Sequence, residues 1–243
     1  MIYDIADLRV LIKNRCAYTD RFCEKYLSAD QSSPWDIVAE VSREAFHEEK
    51  AASPGYSDGY IENICLYREI CLQMPKFDRF LMHAAVLDFE GEGYAFLGKS
   101  GTGKSTHTNL WLENLEGSRI INGDKPVIHW NGTEFIAYGT PWMGKEGRGC
   151  KDKTPLKGLC FLEQAKVNEL TRLSSGEVVN RIFTQLLLPT DEEGAEKTLF
   201  LADQLVTSVP AWLMKCDIST EAAKTSFEGM TGKKFEEKII KKG

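Results

Sequence analysis

The sequence has no C-x-x-C pair. Its seven cysteines, at 16, 23, 65, 71, 150, 160 and 216, are odd in number, and none stands beside a histidine at ligand spacing. That argues against the common zinc frameworks and predicts free, mostly buried thiols in a reducing compartment. Long apolar runs are absent too, and the longest falls far short of the span needed to cross a bilayer. The start, Met1-Ile2-Tyr3-Asp4-Ile5-Ala6-Asp7, has no basic flank followed by an apolar block. No signal peptide is expected, and the chain reads as cytoplasmic. No basic stripe stands out, and 30 basic against 36 acidic residues leave a net charge of −6, a balance that argues against a nucleic-acid partner. Internal repeats and low-complexity tracts are missing. What remains is 243 residues, 42% of them hydrophobic, enough for one large or two small domains.

Against these absences one segment stands out. Gly98-Lys99-Ser100-Gly101-Thr102-Gly103-Lys104-Ser105 is a complete G-x-x-x-x-G-K-[ST] pattern, followed by Thr106. In such a loop the glycines let successive backbone N–H groups curl around phosphate oxygens. The lysine, here Lys104, reaches the β/γ-phosphates, and the hydroxyl of Ser105 is placed to ligate Mg²⁺. The context agrees. Tyr94-Ala95-Phe96-Leu97 is a short apolar run ending at the first glycine, and Lys104 to Leu115 reads as a helix. Strand, glycine loop and helix N-terminus together make an anion site. The plainer alternative is a glycine-rich turn before a surface helix.

The rest of the chain reads as α/β. A lead-in module runs to about Pro75, with Ile5 to Ile12 as a strand and Asp36 to Glu49 and Tyr60 to Met74 as helices. Phe80 to Phe89 is strand-like, and a tight hairpin centred on Gly91 would pair Phe89 with Gly93. Continued, that ladder sets His83 opposite Lys99. After the loop helix come the strands Ser118 to Asn122, Val127 to Trp130 and Glu134 to Tyr138, the last two joined by Asn131-Gly132. Gly158 to Gln164 and Ala211 to Cys216 are further strands. Ser175 to Leu188, Thr190 to Thr207 and Ser219 to Glu228 are helices, and Lys233 to Gly243 is a charge-dense tail that caps the domain.

Asp124 is the second anchor. A phosphate loop needs an acid near its mouth to hold Mg²⁺ or to take a proton from the attacking hydroxyl. A right-handed crossover would lay the loop strand and Ser118 to Asn122 parallel, bringing their C-terminal ends to one edge and Asp124 towards Ser105. A turn aspartate before Pro126 is the competing reading. His83 could hydrogen-bond Asp124 or a phosphate, although a lone histidine in an apolar strand is more often a satisfied core residue. His107 and His129 read as structural. Gly139 to Gly149 carries Lys145 and Arg148 among glycines, which suits a mobile loop that closes over a γ-phosphate and neutralises its charge. Arg148 is preferred, because guanidinium grips phosphate bidentately. A solvated surface loop is the alternative.

The phosphate loop, Asp124 soon after it and His83 one strand before it together resemble the catalytic domain of HPr kinase/phosphorylase. That family shares its nucleotide-binding core with ATP-dependent phosphoenolpyruvate carboxykinase. The resemblance spans roughly Phe80 to Thr190 and is loosest from Lys125 to Gly149. It implies a P-loop-containing mixed β-sheet core flanked by helices over residues 78–243, preceded by an N-terminal α+β lead-in over residues 1–77. In HPr kinases a histidine precedes the loop strand and a pair of aspartates follows the loop helix. Here His83 fills the first role, and Asn122-Gly123-Asp124-Lys125 replaces the pair. Aligned on the residues after the pair, Asp124 matches the catalytic base. Aligned on the Gly-Asp of the carboxykinases it matches the metal ligand, and both roles stay open. The downstream acidic metal ligand has no evident counterpart; Tyr138-Gly139-Thr140-Pro141 stands near its place. The family's signature is not reproduced, which argues against HPr itself as substrate. Some relatives of this shape act in peptide natural-product pathways, where a serine of a precursor peptide is phosphorylated.

The expectation is therefore an ATP- and Mg²⁺-dependent kinase acting on a hydroxyl of a peptide, protein or small molecule. Residues 98–106 would hold the nucleotide, Ser105 and Asp124 the metal, and Asp124 with His83 would activate the acceptor. Lys104, Lys145 and Arg148 would stabilise the transferring group. Carboxykinase chemistry and a non-catalytic nucleotide-binding module are the alternatives. ATP is preferred over GTP or pyrophosphate only by analogy. No nucleic-acid or membrane partner is expected, and a homo-oligomer stays open.

Overall fold

The computed structural model describes residues 1–235. Most of the charge-dense tail lies outside the described residues; Lys233, at its start, pairs with Glu90 at 2.9 Å. The chain divides into two compact units, Met1–Phe80 with Leu187–Thr198, and Leu81–Leu186 with the chain from Leu199 on. Leu187–Thr198 thus joins the first unit, whereas the sequence reading kept everything after residue 77 in the core.

In the first unit β1 (Ile2–Ile5) and β2 (Leu8–Lys13) form an antiparallel hairpin. Its turn, Ala6-Asp7, holds both residues at positive φ, 53° and 58°. That matches the twist of the flanking strands, so the single strand expected over Ile5 to Ile12 is two. Next come α1 (Ala17–Phe22), β3 (Ile37–Glu40), α2 (Arg43–Ala52) and α3 (Asp58–Gln73). The helix read over Asp36 to Glu49 is a strand and then a helix. Residues 37–40 bury every second side chain and pair in parallel with β2. The helix begins only after Ser42, whose hydroxyl accepts the N–H of Ala45 at 3.1 Å.

The chain enters the second unit through β4 (Arg79–Leu81). The elements after it are β5 (Ala84–Phe89), β6 (Glu92–Leu97), α4 (Lys104–Asn114), β7 (Ser118–Asn122), β8 (Val127–Trp130), β9 (Phe135–Tyr138), β10 (Lys153–Gln164), β11 (Glu169–Arg172), α5 (Ser175–Ile182), α6 (Glu192–Ser208), β12 (Ala211–Cys216) and α7 (Thr220–Thr231). The first turns of α6 count with the first unit.

The strands β5 to β12 make a mixed sheet in the order β8-β9-β10-β6-β5-β7, with β12 along the C-terminal half of β10 and β11 beyond it. The sequence reading expects the loop strand and β7 to run parallel, with their C-terminal ends at one edge. β5 lies between them, antiparallel to both β6 and β7. The two are therefore parallel, and β10 and β12 run with them. Four C-terminal strand ends therefore share one edge of the sheet. α4 and α7 pack over a core built of Phe89, Phe96, Trp111, Trp212 and Phe227 with their aliphatic neighbours. Every residue of β5 is buried, as a strand in the middle of a covered sheet requires.

Candidate functional site

The site grows from the loop between β6 and α4. Gly98 sits where an added Cβ would lie 2.6 Å from Thr102 Oγ1, so the loop closes only on glycine. Gly103, just ahead of α4, has a φ of 101°, a conformation glycine adopts without steric cost. Thr102 folds the loop back on itself, since its N–H and its hydroxyl both donate to Lys99 O, at 3.2 and 2.8 Å. Lys104 arches over the loop and donates to Gly98 O at 2.8 Å. Only 8% of it is exposed, and burial lowers its pKa, against the opposing pull of the Asp124 carboxylate.

The second wall comes from the turn after β7. Asn122 is fully buried. Its Oδ1 accepts the N–H groups of Asp124 at 2.9 Å and Lys125 at 2.7 Å, and its Nδ2 donates to Thr140 Oγ1 at 3.0 Å. Thr140 in turn donates to Lys125 O at 2.7 Å. From the other side Ala84 N–H donates to Asp124 O and Met82 N–H to Pro126 O, at 3.1 and 3.2 Å. Asp124 is thus presented by a turn pinned on both flanks.

The strand read over Phe80 to Phe89 breaks at His83, which lies between β4 and β5 and donates its N–H to Gln185 O at 2.7 Å. The two-residue turn Glu90-Gly91 pairs Phe89 with Glu92, and Ala84 with Leu97. The ladder is one residue away from the expected register, so its continuation sets His83 across from Gly98 and not Lys99. The side chain meets its anticipated partner all the same. His83 Nε2 lies 3.1 Å from Asp124 Oδ1, and Lys125 Nζ lies 3.7 Å from Oδ2. Burial alone would raise the Asp124 pKa. The His83 hydrogen bond and the positive charge of Lys125 and Lys104 outweigh it and hold the carboxyl below its usual value.

Loop and turn face one cleft of about 580 Å³. Ser100, Gly101, Gly103, Lys104, Ser105 and Thr106 line one side, His83, Asp124 and Lys125 another, and Lys145 and Arg148 the rim. Gly98, Lys99 and Thr102 shape the loop from behind and do not line it. Lys145 is exposed and makes no ion pair among the described residues. Arg148 is engaged, hydrogen-bonded to Asn109 on α4 and 3.7 Å from Glu146. Four cations, Lys104, Lys125, Lys145 and Arg148, thus face two carboxylates, Asp124 and Glu146. That excess suits an anionic ligand. Sequence reasoning left out Lys125 and Asn122 as site residues. The Asn-Gly-Asp turn was the available signal for Asn122, because a short amide side chain there can hold the next N–H groups. Among the described residues no three His, Cys, Asp or Glu side chains cluster to hold a metal ion.

No family model matches the chain. No curated protein matches it either. Among solved structures, the HPr(Ser) kinase/phosphatase from Coxiella burnetii is similar at 12% identity and a TM-score of 0.27, over 52% of this chain and 88% of that one. A superposition that loose assigns no activity to this chain.

Proposed function

We propose that the second unit is the catalytic body of an ATP-dependent, HPr-kinase-like phosphotransferase that moves the γ-phosphoryl group to a hydroxyl acceptor, with a serine of a peptide or protein as one acceptor class. The observation that carries this reading is the single cationic cleft joining the glycine loop to a histidine–carboxylate pair. In this reading the loop from Gly98 to Thr106 acts as a P-loop. Its amides and Lys104 bind the phosphates, and Lys145 and Arg148 offset the charge that spreads over the transferring oxygens. The acceptor hydroxyl bonds to phosphorus as the bridge to the β-phosphate breaks, and its proton passes to the Asp124–His83 pair.

Ser105 and Asp124, which line the same cleft, would hold Mg²⁺ together with ligand phosphates and water, the mode of binding usual for this ion. Bound there it would supply charge neutralisation on the phosphates. A carboxyl held below its usual pKa is a weak base and a ready cation ligand, so the metal-holding role for Asp124 is favoured. Residues 1–77 are proposed to take part in acceptor recognition, and a cytoplasmic setting belongs to the same reading. One observation favours the alternative of a non-catalytic nucleotide-binding module: both oxygens of Asp124 already face a base or a cation. Carboxykinase chemistry gains no comparable support.

γ-labelled ATP incubated with the purified protein, Mg²⁺ and host lysate is expected to pass its label into the peptide and protein fraction. Lys104→Ala should lose nucleotide binding and transfer together. Asp124→Asn should keep binding and lose at least about 10²-fold in rate. Undiminished transfer by Asp124→Asn would take that carboxylate out of the chemistry. ATP that binds and is never consumed points to the binding module.

A further inference from the structure

The glycine loop has a second cavity on its far side. It measures about 360 Å³ and shares Gly101, Gly103 and Thr106 with the first, so the loop is the wall between the two. That volume falls within the range of small-molecule pockets. The character changes across the wall. No lysine or arginine lines the second cavity; besides Thr102 and His107, its distinctive members are Gln164, Ala165, Cys216, Asp217 and Ile218.

Three of these carry spare capacity. Asp217 is fixed, because its Oδ1 accepts from Ser219 N at 2.9 Å, Ser219 Oγ at 2.5 Å and Asn168 Nδ2 at 3.1 Å. Its N–H also donates to Asn168 Oδ1 at 3.1 Å. Every one of these side-chain bonds falls on Oδ1, which leaves Oδ2 without a hydrogen bond among the described residues. Gln164 Nε2 donates to Gly101 O at 2.9 Å, tying the end of β10 to the loop and leaving Oε1 open. Ile218 is 78% exposed, the most solvent-open large apolar side chain among the described residues, although it borders a cavity.

A cationic pocket and one without lysine or arginine, whose single carboxylate is Asp217, are separated only by a phosphate-type loop, and together they fit a ligand with one polyanionic end and one hydroxyl-bearing, part-apolar end. We propose that the second cavity seats the nucleoside of a nucleoside polyphosphate whose phosphates occupy the first. Asp217 Oδ2 accepts hydrogen bonds from the ribose diol, and the base covers Ile218. Gln164 Oε1 offers a further acceptor beside the loop. This rests on the phosphate reading above and narrows it, since inorganic pyrophosphate or tripolyphosphate would fill only the cationic half.

Calorimetric titration of ATP and of tripolyphosphate, each with Mg²⁺, into the full chain separates the two ideas. ATP is expected to bind at least about tenfold more tightly than tripolyphosphate. Ile218→Asp and Asp217→Asn, the latter keeping an Oδ1 acceptor, should each weaken ATP by about tenfold while tripolyphosphate affinity stays unchanged. The unchanged tripolyphosphate arm also reports that each variant is folded. Equal affinity of the wild type for the two ligands, or variants that leave ATP binding untouched, would overturn the nucleoside seat and leave the phosphate site standing. If neither ligand binds, the phosphate reading fails and the seat falls with it.

Discussion

His107 illustrates how one buried side chain carries a measurable cost. It lies on the first turns of α4, 2% exposed, with Nε2 2.8 Å from Ser226 Oγ and Nδ1 3.9 Å from Cys216 Sγ. Ser226 also accepts Trp111 Nε1–H at 2.9 Å and donates to Ala223 O at 3.0 Å. Its one proton is therefore spent, which assigns the histidine proton to Nε2. Burial pulls the His107 pKa from 6.5 down to about 4. Between those values the unfolded chain takes up a proton that the native protein refuses. Stability is therefore complete above pH 6.5 and falls as the pH drops towards 4, by on the order of 3 kcal/mol from this group. Denaturant titrations at pH 7 and pH 4.5 check it: His107→Gln should flatten that part of the profile, and an unaltered slope would count against the assignment. The sequence reads His107 as structural; it is buried and bonded to Ser226, and it also borders the second cavity. Its partners Ser226 and Cys216, far along the chain, were not legible.

At the scale of elements, the turn after β7 decides whether the cleft exists. Asn122 alone satisfies the N–H groups of Asp124 and Lys125 and reaches Thr140. Asn122→Ala removes those bonds at a buried position and is expected to cost about 1–3 kcal/mol. Thermal unfolding reads that loss. Because Asp124 is then no longer held, transfer activity should fall further than folding alone explains; a variant destabilised but fully active would separate the turn from the site. Element by element, the legible pieces are those with strong local signals. The strands Ser118 to Asn122, Val127 to Trp130 and Ala211 to Cys216 stand where their apolar pattern and turns put them. α1 was missed because its start is held by Glu62, which accepts the N–H groups of Arg15 and Cys16 at 2.7 and 2.8 Å from another helix. β11 was missed because it is short, mostly exposed and polar, and its partner β12 alone makes it a strand.

Across the molecule, charge is distributed against its own average. The chain carries −6, yet Lys104, Lys125, Lys145 and Arg148 converge on one cleft. A polyanionic ligand drawn by that concentration should bind more weakly as salt screens it. Raising ionic strength from about 0.1 M to about 1 M shortens the Debye length from about 10 Å to about 3 Å. ATP affinity is expected to fall by about tenfold or more over that range. A salt-independent affinity for ATP would mean that these cations do not form the binding field. The expected meeting of Asp124 with the loop also belongs to this scale. Both line one cleft, because the antiparallel strand between them leaves the two outer strands parallel.

The sequence by itself determined the glycine loop, the helix after it and the α/β alternation around them. Those depend on contiguous residues whose backbone freedom and periodicity are local properties. Only the tertiary structure decided that His83 faces Asp124, that Asn122 builds the turn and that Arg148 turns to Asn109. It also decided that a second cavity, free of lysine and arginine, opens behind the loop. Each of those depends on strand order and register, and there a shift of one residue changes which side chains meet.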